Sequence, residues 1–196
     1  MKKLISVLAV VALICGCTFV GTRKEHGKFE QDKKIDTSAS FYLILPEDGH
    51  EISYFKENRV ENKGSGKEAA DVFFKKFHKS FGSLVMSKNN ISIAEGLGEA
   101  KMRGDKYMIT LDVTEWNDEF YMTCIPAKPN TVQAQKTDSL DISIQVYEVA
   151  TGELLNKQRL QNAGCPTIFL GFIPIGTMGP KGRFNNSLND WAQNIK

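Results

Sequence analysis

Two groups of ionisable residues hold the side chains that acid–base catalysis would need. One follows a short apolar run and consists of Asp48, His50 and Glu51. The other surrounds Trp116 and consists of Asp112, Glu115, Asp118 and Glu119. A histidine beside carboxylates, or a pair of carboxylates, can transfer the protons that hydrolysis requires. Neither group has the spacing of a known catalytic motif, and the sequence contains no Gly-x-Ser-x-Gly or His-Glu-x-x-His signature.

Both groups are more typical of solvated strand ends, because charged residues are mostly exposed to solvent. We therefore expect no catalytic residue and no enzymatic activity. A hydrolase or small-ligand-binding protein with a cleft near Asp48 and His50 stays open as the alternative.

The segment Gly64-Ser65-Gly66-Lys67-Glu68 has some features of a phosphate-binding loop, because a glycine-rich turn at a helix N-terminus presents free N–H groups. A Walker loop, however, needs a further Gly where this sequence has Glu61, and a hydroxyl where it has Glu68. The spacing instead predicts a capping box between Ser65 and Glu68 at the start of a helix. Helical spacing then gives this helix one buried stripe, formed by Ala69, Ala70, Phe73, Phe74, Phe77 and Phe81.

The first 16 residues are typical of a bacterial secretory signal. Lys2 and Lys3 precede an apolar run, residues 4–14, that is too short to cross a bilayer permanently. The segment ends in Ile14-Cys15-Gly16-Cys17, which resembles the lipobox of bacterial lipoproteins. Cys17 is the better lipid acceptor because the small Gly16 precedes it. An uncleaved anchor and a plain secretory peptide are the alternatives.

The lipobox resemblance implies a location and a covalent lipid. It implies that residues 1–16 are removed and that Cys17 becomes triacylated, which anchors the protein firmly. Thr18 follows Cys17 where Asp would indicate retention in the inner membrane, so the resemblance favours the outer membrane. We expect a periplasmic orientation and no cofactor beyond this lipid.

Cys124 and Cys165 are the two cysteines that remain free after lipidation. The periplasm is oxidising, so a disulfide between them is the leading interpretation. Two buried, unpaired cysteines are the alternative. A metal pair is disfavoured because neither cysteine has a second Cys or a His at ligand spacing.

Composition bounds the remaining classes of protein. The 196 residues are 41% apolar and 24% charged and include 12 Phe and 5 Tyr, which argues against intrinsic disorder. Residues 1–16 hold two lysines and no acid, so the mature chain carries 23 basic and 23 acidic residues. A neutral chain has no global field to attract polyanions, so we expect no nucleic-acid partner.

Pattern predicts three parts: a signal peptide over 1–16, the lipidated Cys17 with a flexible tether over 17–39, and one α/β (α+β) domain over 40–196. A buried strand is expected over 40–45, helices near 65–81, 93–103 and 186–195, and strands over 107–114 and 140–147. A turn at 150–153 returns the chain as a C-terminal antiparallel hairpin. We expect a mixed sheet packed by two or three helices, with a long excursion over 117–138.

Residues 166–180 are apolar but broken by Gly and Pro, which makes them too short and too irregular for a membrane span. One interpretation is an irregular strand and loop packed under the last helix. The other is an exposed apolar patch that contacts a partner protein or the inner leaflet. Its candidate interface residues are Phe169, Phe172 and Ile173.

A set of short motifs follows in a specific order: Leu45-Pro46-Glu47-Asp48-Gly49, Gly64-Ser65-Gly66, Gly104-Asp105-Lys106-Tyr107, Trp116-Asn117-Asp118 and the run from Val146 to Leu155. This order resembles a family of small bacterial lipoproteins known as a domain of unknown function, over residues 40–160. We expect the loop over 119–138 to be longer than in that family and the segment over 166–180 to depart from the family's end. The resemblance implies an envelope location and a fold and supplies no catalytic residue.

The same order of elements more distantly resembles the α/β domain of the curli secretion lipoprotein and of activators of penicillin-binding proteins. Likeness of fold is a weak guide to function. It implies self-association or the binding of another envelope protein. We therefore expect an outer-membrane-anchored, non-enzymatic binding or assembly module.

Overall fold

A β-sheet lies at the centre of the molecule. The computed structural model describes residues 23–25, 29–52, 59–117, 138–164, 168–170, 173–176 and 179–195. The sheet strands are β1 (Arg23–Glu25), β2 (Phe29–Asp32), β3 (Ser40–Leu45), β4 (His50–Ile52), β5 (Arg59–Glu61), β6 (Ser83–Asn90), β7 (Tyr107–Asn117), β8 (Asp138–Glu148) and β9 (Leu154–Gly164). A separate hairpin consists of β10 (Ile168–Leu170) and β11 (Ile173–Gly176). The helices of the described chain are α1 (Ser65–Phe77), α2 (Ile93–Arg103) and α3 (Gly179–Asn194).

The strand order in the main path of the sheet is β1-β9-β8-β7-β3-β6, with β2, β4 and β5 added at the sides. β3 runs parallel to both β6 and β7, whereas β7, β8 and β9 form an antiparallel meander. The predicted single α/β domain with a mixed sheet, an antiparallel hairpin and two or three helices is confirmed.

One face of the sheet is covered by α1 and α3, which place a cluster of aromatic rings over β3. Its members are Phe41, Phe73, Phe77, Phe81 and Trp191, all at most 6% exposed, with ring centroids 4.2–6.5 Å apart. Full burial of one such side chain contributes about 1.5–3 kcal/mol relative to exposure. Phe73 and Phe77 of the predicted stripe therefore anchor α1 to the sheet, whereas Phe81 lies beyond the helix, which ends at Phe77 and not at the predicted residue 81.

The opposite face is covered near β3 by α2, whose bounds agree with the predicted 93–103. Tyr42, Ile44, Ala100 and Met108 form its core. Glu99 accepts a hydrogen bond from the Tyr42 hydroxyl. Burial, and secondly this hydrogen bond, raise the pKa of Tyr42 to about 12. Tyr42 is therefore a neutral structural donor at physiological pH.

The segment predicted as a tether partly belongs to the domain. β1 and β2 both pair antiparallel with β9, and Arg23 is the register partner of Ala163. Ile35 is buried in the core, and its N–H donates to the carbonyl of Ile195 at 2.9 Å. Strand pairing uses backbone groups, so a polar sequence does not prevent it. The domain therefore starts before residue 40.

Two other elements differ from the prediction. β6 (Ser83–Asn90) was not expected, and α3 begins at Gly179 where the pattern predicted a start near 186. β6 is an edge strand that packs only part of its length, so its polar and apolar residues do not alternate. Without this alternation the sequence gives no strand signal.

Several predicted residues lie outside the described part of the chain: Cys17, Asp118, Glu119, Cys124, Cys165 and Phe172. The lipidation site and the disulfide therefore stay predictions. Phe169 lies in β10 and Ile173 in β11, which pair with each other. None of the three described helices combines the length and apolar character that a membrane crossing requires.

Candidate functional site

The loop after β3 meets the first turn of α1 through the carboxylate of Asp48. One oxygen of Asp48 accepts the N–H of Gly64 and the other accepts the N–H of Gly66, both at 2.8 Å. The first N–H groups of a helix have no partner within the helix, and an anion stabilises them. Asp48 therefore caps α1 from a distant part of the chain.

The capping box predicted between Ser65 and Glu68 is wrong. The cap residue is Gly64, in the left-handed conformation with φ of 89°, and it has no side chain to form a box. The hydroxyl of Ser65 instead accepts the N–H of Gly49 at 2.8 Å. Glu68 accepts hydrogen bonds from Trp116 Nε1 and Lys181 Nζ, each at 3.1 Å.

Two glycines allow this loop to lie against its neighbours. A Cβ at Gly66 would lie 2.5 Å from the carbonyl oxygen of Glu47, and a Cβ at Gly49 would lie 2.7 Å from that of Val113. Both distances are shorter than real Cβ atoms show. Three of the motifs quoted from the sequence, those that contain Asp48, Gly66 and Trp116, thus meet where β3 and β7 end.

Asp48 and His50 of the first ionisable group lie at or next to this junction. Ligands of open α/β sheets commonly bind at the carboxyl ends of the strands, where α1 begins here. The position at the helix N-terminus is filled by Asp48, which gives both of its oxygens to backbone N–H groups. His50 lies exposed on β4, in register with Glu61 and Glu115. The arrangement makes Asp48 a structural cap, both of whose oxygens accept backbone N–H groups.

The two described members of the second ionisable group, Asp112 and Glu115, lie on the sheet face that α2 contacts at β3 and β7. Asp112 is exposed there, and Glu115 accepts a hydrogen bond from the Ser139 hydroxyl. Asp112 is the register partner of Ser143, which in turn is the partner of Arg159. We define the polar face by the side chains of β7, β8 and β9 on this side: Thr110, Asp112, Glu115, Asp141, Ser143, Arg159 and Gln161.

Asp141 is the most connected residue of the polar face. It accepts Arg159 Nε at 2.8 Å and Gln161 Nε2 at 3.0 Å, and a second guanidinium N–H of Arg159 also donates to it. The Asp141 side chain is 11% exposed and that of Arg159 is 51% exposed. A two-pronged contact of this type fixes both orientation and charge. The acid is thus neutralised locally while the guanidinium still faces solvent.

Several polar residues of the polar face are nearly buried. Thr110, Asp141 and Ser143 are each 8% exposed. In the described part of the chain, α2 contacts this side at β3 and β7, and α3 lies on the other side. Asp141 is hydrogen-bonded to Arg159 and Gln161 within this face, which combines acidic and basic side chains. Its residue types were predictable from strand alternation, but their pairing across three strands was not.

Metal coordination finds no support in the described residues. They contain no group of three or more His, Cys, Asp or Glu side chains that could hold an ion. The described members of the two ionisable groups thus lie at the α1 junction and on the polar face.

Comparison with known proteins identifies the family. Residues 47–195 match the family described as Domain of unknown function (DUF4823). The chain belongs to this family. The predicted membership in a family of unknown function is confirmed. In this DUF4823 chain the match also covers residues 166–180 and ends at residue 195. The expectation that this segment departs from the family is therefore wrong. No curated protein sequence matches the chain.

Solved structures with a similar fold include several envelope proteins. The PelC dodecamer from Paraburkholderia phytofirmans is 9% identical with a TM-score of 0.52, over 83% of this chain and 93% of PelC. Lipoprotein GNA1162 from Neisseria meningitidis is 10% identical with a TM-score of 0.43, over 80% and 99%. The LpoB C-terminal domain from Salmonella enterica is 13% identical with a TM-score of 0.37, over 64% and 84%. At these identities the likeness concerns the fold alone.

Proposed function

We propose that this protein is a lipoprotein, anchored through Cys17 in the outer membrane, that faces the periplasm and assembles with further copies of itself without catalysing a reaction. The lipobox-like Ile14-Cys15-Gly16-Cys17 supports the anchor. The similar fold of PelC, a dodecamer, supports assembly as a use that this fold permits.

The polar face carries the proposal of self-assembly. It combines acidic residues, Asp112 and Glu115 on β7, with a basic residue, Arg159 on β9, on the same side of the sheet. A surface of mixed sign can be solvated in the monomer and can also meet complementary charges of a partner. A polar surface of this type suits a reversible interface, because interfaces between separately stable proteins are about as polar as the rest of the surface.

Assembly into a closed ring requires two different patches on each copy, because each copy contacts the next in a head-to-tail manner. The polar face would supply one patch. Dissolved ions screen the attraction between exposed charges more strongly at higher salt, so the assembly is expected to weaken as ionic strength rises.

The alternative, a hydrolase or small-ligand protein with a cleft near Asp48 and His50, loses support from the geometry. Asp48 is the helix cap of α1 and its removal would disturb the fold before any chemistry. A binding module for another envelope protein is the outcome that remains if the chain does not self-associate.

The test compares two charge reversals in the full-length lipidated protein, extracted in mild detergent and measured by analytical ultracentrifugation. Asp112→Arg reverses the charge of an exposed acid on the polar face. Asp71→Arg makes the same change at an exposed position of α1. We expect the wild type and Asp71→Arg to sediment as assemblies and Asp112→Arg to shift towards the monomer. A monomeric wild type, or equal behaviour of the two variants, would contradict assembly through this face.

The anchor is tested separately by Cys17→Ala. We expect the wild type to fractionate with outer membranes and the variant to lose membrane association. Mass spectrometry of the N-terminal peptide should show acyl chains on Cys17 in the wild type. An unmodified Cys17 would contradict the anchor and leave the assembly measurement valid.

A further inference from the structure

The register of β1 determines which end of the sheet lies nearest to the lipid anchor. Arg23 pairs with Ala163, Ala163 with Ser139, and Ser139 with Asn117. These four residues form one row across β1, β9, β8 and β7. We call the end of the sheet at this row the anchor end.

The chain between the lipid and the anchor end is short. Six residue steps separate Cys17 from Arg23, and an extended chain spans at most about 3.3–3.6 Å per residue, or about 20 Å in total. The tether therefore holds the anchor end close to the membrane and cannot lift the domain far from it.

The apolar hairpin is attached to the same end. Ile168, at the start of β10, follows Gly164 of β9 by four residues, and Gly179 of α3 follows Gly176 of β11 by three. α3 also begins at the anchor end, because Lys181 contacts Glu68 in the first turn of α1. Both attachments therefore restrict the hairpin to within about 15 Å of the anchor end.

The hairpin has the composition of a membrane-contacting element. Its described residues, Ile168–Leu170 and Ile173–Gly176, contain no charged or polar side chain. It forms its own two-stranded sheet and does not extend the main sheet. A two-stranded hairpin alone is marginally stable in water, so contact with a further apolar surface would stabilise this one.

We propose that the β10–β11 hairpin contacts the phospholipid surface beside the lipid anchor and orients the domain with its anchor end towards the membrane. The short tether carries this inference, because it brings the apolar residues and the bilayer together. A second point of contact would turn a loosely held domain into one of fixed orientation, which would favour assembly in the plane of the membrane. The inference rests on the proposed anchor at Cys17 and is independent of the polar face.

The test uses tryptophan fluorescence and acyl-chain quenching. Full-length lipidated protein is reconstituted in vesicles of phosphatidylethanolamine and phosphatidylglycerol, with and without bromine on the acyl chains. Phe169→Trp and Leu170→Trp place the probe on both faces of β10, because neighbouring strand residues project to opposite sides. Ala150→Trp is the control, since the turn at 149–153 lies at the other end of the sheet. The native Trp116 and Trp191 are buried and supply a constant background.

We expect brominated lipid to reduce the emission added by Phe169→Trp or Leu170→Trp and to leave that added by Ala150→Trp unchanged. Quenching at none of the three sites, or at all three, would overturn the inference. Vesicle flotation of the wild type distinguishes the two proposals: flotation without quenching refutes the hairpin contact alone, whereas absent flotation refutes the anchor and the contact together.

Discussion

The carboxylate of Asp48 accepts the backbone N–H of Gly66 at 2.8 Å, although 18 positions separate the two residues. This contact joins the end of the central strand β3 to the start of α1. The second oxygen accepts the N–H of Gly64, so both oxygens of the acid hold the helix N-terminus. Asp48 therefore has a structural role that its place in an ionisable group did not indicate.

Replacing Asp48 should destabilise the protein. Asp48→Ala removes the cap of α1, and the loss of such a cap costs about 1 kcal/mol, in a range of about 0.5–2. The neighbouring Glu47 is exposed, so Glu47→Ala is the matched control and should change stability little. Urea denaturation of the two variants measures the difference. Equal stabilities would contradict the capping role of Asp48.

The two glycines of α2 should respond to alanine with opposite signs. A Cβ at Gly96 would lie 2.2 Å from Ile44 Cδ1 and 3.0 Å from Met108 Sδ, whereas a Cβ at Gly98 meets nothing within 4 Å. Alanine stabilises an exposed helix position by about 0.5–1 kcal/mol relative to glycine. We expect Gly98→Ala to raise the melting temperature and Gly96→Ala to lower it.

Thermal unfolding followed by circular dichroism at 222 nm measures both changes in the same helix. A rise for both variants would mean that Ile44 and Met108 repack around the new methyl group at no cost. It would contradict the close packing of α2 on β3.

The sequence predicted elements better than it predicted contacts. The apolar run 40–45 and the bounds of α2 are local signals, and both agree with the structure. The cap of α1 was assigned to the wrong residue because Ser65 and Glu68 fit a local pattern, whereas their partners Gly49 and Trp116 are distant in sequence. Short-range patterns cannot report such contacts.

The tether was mispredicted for a related reason. Residues 18–39 are polar, and polarity alone indicates a solvated segment. Pairing with β9 satisfies backbone groups whatever the side chains, and a single buried residue among 33–39, Ile35, gives no periodic signal. The side-chain pairing on the polar face could not be predicted from local sequence either. Alternation places residues on one side of a strand but does not determine their neighbours on other strands.

The capping box of α2 predicts a pH-dependent contribution to stability. The Ser92 hydroxyl accepts the Glu95 N–H at 3.2 Å, and Glu95 accepts the Ser92 N–H at 2.9 Å. This backbone hydrogen bond, and then the one from the Ser92 hydroxyl, lower the pKa of Glu95. A carboxyl whose pKa is lower in the folded state stabilises the fold above its unfolded pKa, and this stabilisation is lost as pH falls through the folded pKa.

Two variants separate the cap from the charge. Ser92→Ala should cost about 1 kcal/mol near neutral pH. Glu95→Gln keeps a side-chain oxygen for the box but does not titrate, so its stability should fall less steeply than that of the wild type between neutral pH and the acid range. Urea denaturation at several pH values gives both results. Identical pH profiles for the wild type and Glu95→Gln would refute the titration of Glu95 as a source of stability.

The cysteines lead to a prediction about oxidation state. Cys124 belongs to the excursion that joins β7 to β8, and Cys165 directly follows Gly164 at the end of β9. β7, β8 and β9 are neighbours, so both segments leave the sheet at the anchor end. A disulfide typically stabilises a protein by about 2–4 kcal/mol, mainly by restricting the unfolded chain. We expect protein isolated from an oxidising compartment to have no free thiol and to melt at a lower temperature after reduction. Cys124→Ser should abolish that response to reductant, as should Cys165→Ser, whereas two reactive thiols in the native protein would rule out the bridge.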